Sequence, residues 1–171
     1  MKIFAYGSNM NIKRLRERVP SATKVCNASI DGYSFAFNKK SKDGSAKGNI
    51  EQTDNINDKV WGVVFEIDEK EKEKLDDAEG LGKGYNETMI DVRGTDGQVV
   101  KVQVYIADSG AINNSLHPYD WYKEYVVSGA KDNELPEGYI QTLNNFLVTE
   151  DMDKERRQKH FTAINKADNT I

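Results

Sequence analysis

Cysteine is nearly absent from this chain of 171 residues, and histidine is almost as scarce. Cys26, the single cysteine, cannot close an internal disulfide, and His117 and His160 lie too far apart for zinc-ligand spacing. A chain without such staples must rely on a hydrophobic core, and this length buries roughly two thirds of its unfolded surface. The thiol-poor composition fits a reducing, cytoplasmic setting. Long apolar runs are missing too. None approaches the roughly 18 residues of a membrane span, and one lysine with a few apolar residues before Gly7 does not make a secretory leader. An excess of positive charge is also lacking: 24 Lys and Arg stand against 28 Asp and Glu, a net charge of −4 that disfavours a nucleic-acid partner. The basic run Lys13-Arg14-Leu15-Arg16-Glu17-Arg18 has no interleaved aromatics. It reads as a solvated helix face, with its cations near the helix end before Pro20.

What is present is concentrated first at the N-terminus, in Phe4-Ala5-Tyr6-Gly7-Ser8-Asn9-Met10. Met1 to Tyr6 is long enough for one strand, and Asn9 through Val19 reads as a helix, so Gly7 and Ser8 should form the turn between them. Gly7 permits close approach of a ligand to the backbone, and Ser8 or Asn9 can cap the helix. The first N–H groups of that helix would then face an anion.

Further along, Val25 to Ile30 reads as a strand, and Asp31-Gly32 is a hairpin signal leading into Tyr33, Phe35 and Phe37 at period two. Asn38 to Ala46 is polar and reads as a loop, with a short strand at Gly48-Asn49-Ile50. Val60 to Ile67 is the strongest strand. Trp61, Val63, Phe65 and Ile67 line one side and Val60 and Val64 the other, as in a sheet interior. Asp68 with Glu71 has capping-box spacing for a helix from about Glu69 to Glu79, ended by Gly80. Strands at Tyr85 to Val92 and Val99 to Ile106 meet through Gly94-Thr95-Asp96-Gly97. The remainder turns helical: Pro118 suits a first helical position, Trp121, Tyr122, Tyr125 and Val126 make an apolar stripe, and Pro136 opens a second helix. Strands followed by helices indicate an α+β fold, and six or seven strands can close into a barrel. No linker divides residues 1–150, which read as a single domain, while 151–171 is either a terminal helix or a frayed tail.

Among the acidic residues Glu79 stands out, because the negative end of a helix dipole disfavours a carboxylate there by roughly 0.3–1 kcal/mol. In a cleft, with Asp76 and Asp77 adjacent in sequence, such a carboxyl would hold its proton more tightly, as general acid/base work near neutrality requires. On the surface it would be one more solvated acid in a charged helix.

Three stretches together resemble the γ-glutamylcyclotransferase family, which includes γ-glutamylamine cyclotransferases and avirulence-induced-gene-like proteins. They are Tyr6-Gly7-Ser8-Asn9-Met10 after the first strand; Val60-Trp61-Gly62-Val63-Val64-Phe65, Leu75, Glu79-Gly80 and Tyr85; and Pro118, Tyr122, Gly129-Ala130 and Leu135-Pro136. Their shared order spans about residues 2 to 140. The resemblance implies a small mixed β-barrel of about six strands with flanking helices. It implies Glu79 as the catalytic acid/base, and Tyr6, Gly7, Ser8, Asn9, Met10, Tyr85 and Tyr122 as substrate-binding residues. It further implies a small γ-glutamyl substrate and no cofactor, metal, nucleic acid or membrane. Tyr122 also fits core packing on its helix stripe, and Trp121 and Tyr125 read as core. Gly-Ser-Asn differs from the Gly-Ser-Leu of the glutathione-specific branch, and residues 38–58 match poorly apart from Gly48 and Ile50. The activity implied is release of 5-oxoproline by attack of the substrate's own α-amino group on its γ-carbonyl. The contrasting reading is a non-catalytic module that holds a carboxylate or γ-glutamyl ligand in the same pocket.

Overall fold

The computed structural model describes residues 1–165. The strands are β1 (Lys2–Ala5), β2 (Thr23–Asp31), β3 (Tyr33–Lys40), β4 (Ala46–Gln52), β5 (Lys59–Glu66), β6 (Tyr85–Gly94) and β7 (Val99–Ala107). The helices are α1 (Ile12–Arg16), α2 (Lys72–Glu79), α3 (Asp120–Asp132), α4 (Glu137–Asn144) and α5 (Lys154–Asn165). Five strands close a mixed barrel in the order β1-β5-β2-β6-β7, completed by a parallel contact between Ile3 of β1 and Gln103 of β7. The architecture is the expected α+β barrel with flanking helices, with five barrel strands in place of about six.

The two apolar faces of β5 explain its central place between β1 and β2. Val60 and Val64 point into the barrel with Phe4, Ala28, Val92 and Val102. Val63 and Phe65 point outward and pack with Leu15, Leu75, Trp121 and Tyr125 under the helices.

The other two strands leave the barrel. Asp31-Gly32 does not fold β3 back on β2, because the edges of β2 are already taken by β5 and β6. Gly32, at φ 75°, instead turns the chain into a separate hairpin of β3 and β4. The aromatics of β3 pack edge-on, Phe37 on Tyr122 of α3 and on Phe146 just after α4, which holds this hairpin beside the barrel. The expected loop from Asn38 is strand to Lys40, and β4 begins at Ala46, earlier than its apolar residues indicate.

Several helix starts also differ from expectation. In place of one helix from Asn9 to Val19 there is a 3₁₀ turn at Ser8–Met10, then α1 of five residues. Asn11, not Ser8 or Asn9, caps α1, its side-chain oxygen accepting the Arg14 N–H at 3.1 Å. Asp68 accepts from the Lys70 N–H, but Glu71 does not complete a capping box because its carboxylate takes the amide and hydroxyl of Ser21 at 3.0 and 2.6 Å. Gly80 ends α2 as expected, in the left-handed conformation at φ 71°. Pro118 stands ahead of α3 rather than in its first turn, and its carbonyl accepts the Thr149 N–H.

The segment from Asp151 is helical over Lys154–Asn165; the expectation for 166–171 lies outside the described residues. Side chains fasten it to α3. Buried Asp151 accepts two bonds from the Arg156 guanidinium, each 2.6 Å, and one from the Trp121 indole at 2.8 Å. His160 stacks on Trp121 with centroids 3.8 Å apart. Arg156 foremost, helped by Trp121, holds the Asp151 carboxyl well below the usual carboxylate range, while burial, then the charge of Arg14, pull His160 down to about 4. Both shifts make acid loosen the arm. The unfolded histidine takes its proton near about pH 6.5, so its contribution is lost as pH falls from there to about 4. That of Asp151 is complete above the unfolded value of about 3.9 and is lost below it, toward the depressed folded value. Hydrogen exchange in α5, corrected for intrinsic rates, should therefore accelerate relative to β5 in two stages on acidification. Asp151→Asn should remove the second stage; unchanged protection of α5 down to pH 3 would contradict this account.

Candidate active site

A small, partly open cleft lies where the barrel end, the Ser8–Met10 turn, β4 and the end of α2 converge. Gly7, Ser8 and Asn9 form one wall and Glu79 another, so two stretches some 70 residues apart in sequence face each other. Met10's amide donates to the Gly7 carbonyl and Asn11's to the Ser8 carbonyl. The amides of Ser8 and Asn9, at the head of the turn, have no acceptor within it. Met10 itself does not line the cleft. Its side chain is fully buried and its amide is engaged, so the expectation that it touches a ligand is corrected: it anchors the turn in the core. A short turn also replaces the helix dipole anticipated at this point.

Glu79, the last residue of α2, is oriented by two donors. Its Oε1 accepts from Asn9 Nδ2 at 2.8 Å and from Arg18 Nη1 at 2.7 Å, and Arg18 Nη1 also reaches Asn9 Oδ1 at 2.7 Å. The side chains of Arg18 and Glu79 are 20% and 17% exposed, so the pair stays in contact with solvent and serves to orient more than to stabilise. The acidic neighbours are not what surrounds Glu79. Asp76 is bound to Lys72 at 2.7 Å and to the Tyr105 hydroxyl at 2.6 Å, and Asp77 lines a different cavity with Gly80 and Lys83.

Tyrosines build the floor. The Tyr122 hydroxyl accepts the Gly48 N–H at 3.1 Å, and the Tyr85 hydroxyl donates to the Gly48 carbonyl, so two helix- and barrel-borne phenols pin one residue of β4. The Tyr6 hydroxyl is taken up by the Tyr105 carbonyl. Burial raises the pKa of Tyr6, Tyr85 and Tyr122, which are therefore neutral donors near neutral pH rather than bases. Tyr122 is buried against Phe37 and Trp121, as its stripe allowed, and it also lines the cleft.

The basic run is the largest revision. Arg18 holds Glu79, and Arg14 donates from Nε to Ser8 Oγ at 3.1 Å while its guanidinium lies 4.4 Å from the Tyr125 ring centroid. Neither belongs to a solvated face. Their spacing of four residues, with Asn11 three before Arg14, was the available signal that they share one side. Gly48, noted only as an isolated match, and Tyr105 complete the lining. Among the described residues no group of three His, Cys, Asp or Glu is arranged to hold a metal, and no helix is long and apolar enough to cross a membrane.

The profile of the AIG2-like family matches residues 59–143, which carry the strand β5, Glu79 and Tyr122. A human protein named gamma-glutamylcyclotransferase is 30% identical over 150 residues, 82% of this chain and 75% of that one; its mouse counterpart is 31% identical over the same spans. A solved structure titled gamma-glutamyl cyclotransferase superposes with a TM-score of 0.80 at 25% identity, covering 95% of this chain and 98% of the other. A second, of an uncharacterized human protein, gives 0.78 at 27% identity, covering 94% and 97%. Shared sequence over most of both chains, together with a shared barrel, means that the chain belongs to the γ-glutamylcyclotransferase family.

Proposed function

We propose that the protein is a γ-glutamyl cyclotransferase that releases 5-oxoproline and an amine or amino acid. The observation that carries this reading is the Glu79 carboxylate lining the same cleft as the Gly7-Ser8-Asn9 turn, bonded to it through Asn9. The substrate contains its own nucleophile. Its α-amino nitrogen attacks the γ-carbonyl carbon, the new C–N bond closes a five-membered lactam, and the old amide C–N bond breaks. Two protons leave the α-ammonium nitrogen as the lactam forms; Glu79 takes each in turn and passes it to the departing nitrogen, which ends as an ammonium, so no net proton or cofactor is consumed.

Holding the curled conformer contributes through proximity, for which intramolecular reactions reach effective molarities of about 10⁵ M or more. The Ser8 and Asn9 amides are positioned to bind the α-carboxylate or the developing oxyanion, a role for which one donor is worth roughly 10²–10³ in rate. The Tyr122 hydroxyl, held by the Gly48 N–H and beside Ser8, is a neutral hydrogen-bonding group for the substrate. Arg18 and Asn9 act through Glu79, fixing the oxygen that accepts the proton.

Incubation with γ-glutamyl-alanine and a set of γ-glutamylamines, followed by mass spectrometry, should yield 5-oxoproline and the free amine in equal amounts. Folded protein that makes neither product from any of them would overturn the enzymatic reading; 5-oxoproline binding without turnover would favour a binding module instead.

A further inference from the structure

A second cleft adjoins the first. It shares Ser8, Glu79, Tyr85 and Tyr122 with it, and Arg14, Lys39 and Lys47 contribute to its remaining border. The first cleft ends against Phe4 and Ala5 of the barrel, so the adjoining one is the way out for whatever is attached to the glutamyl group. Its cations are not all balanced. Lys47 is paired with Asp43 at 2.7 Å, and Arg18 with Glu79 at the same distance. Lys39 and Arg14 have no carboxylate partner among the described residues.

Lys39 is the more unusual of the two. The residue is only 9% exposed, yet its ammonium has neither a carboxylate nor a hydrogen-bond acceptor among the described residues and rests 4.7 Å from the Tyr85 ring centroid. Burial pulls its pKa down, and the charges of Glu79 and Asp43 act in the opposite direction. The fold is arranged to place it there. A β-bulge between Phe37 and Lys39 re-aims the side chain. The intervening Asn38 is locked by bonds to Glu51 and Asn114, both 2.8 Å, and by one from Asn49 at 3.2 Å. Room for the lysine depends on Gly84, where a Cβ would lie 2.8 Å from Lys39 Cε and 3.0 Å from Nζ. A sheltered cation with no carboxylate in contact is costly unless an anion joins it.

We propose that Lys39, with Arg14 adding charge of the same sign, is the specificity-determining residue for the leaving portion, selecting substrates whose departing amine carries a carboxylate. This rests on the cyclotransferase reading for its chemistry but not for its binding test. Three compounds vary the charge: γ-glutamyl-alanine; γ-glutamyl-ethylamine, which lacks only the carboxylate; and γ-glutamyl-ethylenediamine, the ethylamine with a terminal ammonium added.

The wild type should prefer them in that order in kcat/KM, with the first about ten- to a hundredfold over the second, as for a hydrogen bond to a charged group. Lys39→Met should compress the first ratio about tenfold and raise the relative use of the cationic compound. Ratios measured within one variant are insensitive to a misfolded fraction. A wild-type ratio near one, or ratios unmoved by Lys39→Met, would overturn the assignment. Calorimetric titration of the same compounds into Glu79→Gln, with and without Lys39→Met, separates the two readings. If nothing is turned over but carboxylate-dependent binding is present and lost with Lys39, the subsite stands and the cyclotransferase reading falls. Equal binding of all three, or none, would sink the subsite.

Discussion

Glu79→Gln is expected to lower kcat by about 10²–10⁴, the range supplied by a positioned general acid/base, and to lower kcat/KM by the same factor. The two parameters should fall together because the proton is in flight only in the transition state, leaving ground-state binding of the glutamyl group in place. Folding should hardly change. The amide keeps an oxygen for Asn9 and Arg18, and Arg18 retains its bond to the Asn9 side chain. A part-exposed pair of this kind contributes about 0–1 kcal/mol, a shift of a few degrees at most in Tm for a chain of this size. Steady-state kinetics with γ-glutamyl-alanine and a thermal melt decide it. Activity retained within tenfold would remove Glu79 from the chemistry, and a collapsed melt would make its role structural.

Gly129→Ala should damage stability and activity together, from a position that does not line the cleft. A Cβ at 129 would lie 2.6 Å from the Asn11 nitrogen and 2.8 Å from the Met10 carbonyl carbon. Those are backbone atoms and cannot swing aside, so either α3 or the Ser8–Met10 turn must move. Overpacking of this kind costs about 1–3 kcal/mol, or roughly 2–4 °C in Tm per kcal/mol. Activity should fall further than the melt explains, because displacing binding groups by about 1 Å can cost 10²-fold. The comparison is Gly138→Ala, where nothing lies within 4 Å of the added carbon and the helix gains from the better helix former. If Gly129→Ala, assayed well below its Tm, matches Gly138→Ala in kcat/KM, the turn does not depend on α3.

What the sequence disclosed depended on whether a signal was local. Period two with apolar residues on both faces identified β5, and the packing of Val60 and Val64 inside the barrel and Val63 and Phe65 outside it is the same statement in three dimensions. Gly80 marked the end of α2 because a left-handed residue at that position is a matter of backbone sterics. The failures came where side chains had two local options. Asn11 outcompeted Ser8 and Asn9 as the cap, and Glu71 found Ser21 before the N-terminus of its own helix. Asp31-Gly32 is a genuine turn signal, but which strand a turn delivers is set by edges already occupied elsewhere.

The cleft follows the same division. Tyr6-Gly7-Ser8-Asn9, Glu79, Tyr85 and Tyr122 could be named through the family resemblance of three ordered stretches, and the fold brings them to one cleft. Arg18 could not, because a basic run is ordinarily solvated and its partner lies 61 positions away. Lys39 was hidden in a polar stretch whose burial depends on Asn38 finding Glu51, Asn49 and Asn114.

Trp121 and Tyr122 are neighbours on α3, yet one bears the stacked ring of His160 and the indole bond to Asp151 while the other touches Gly48 beneath the cleft. A brace and a working surface therefore share one turn of helix. Damage to the distal arm has a short mechanical route to the cleft, and the floor inherits whatever play the buttress behind it acquires.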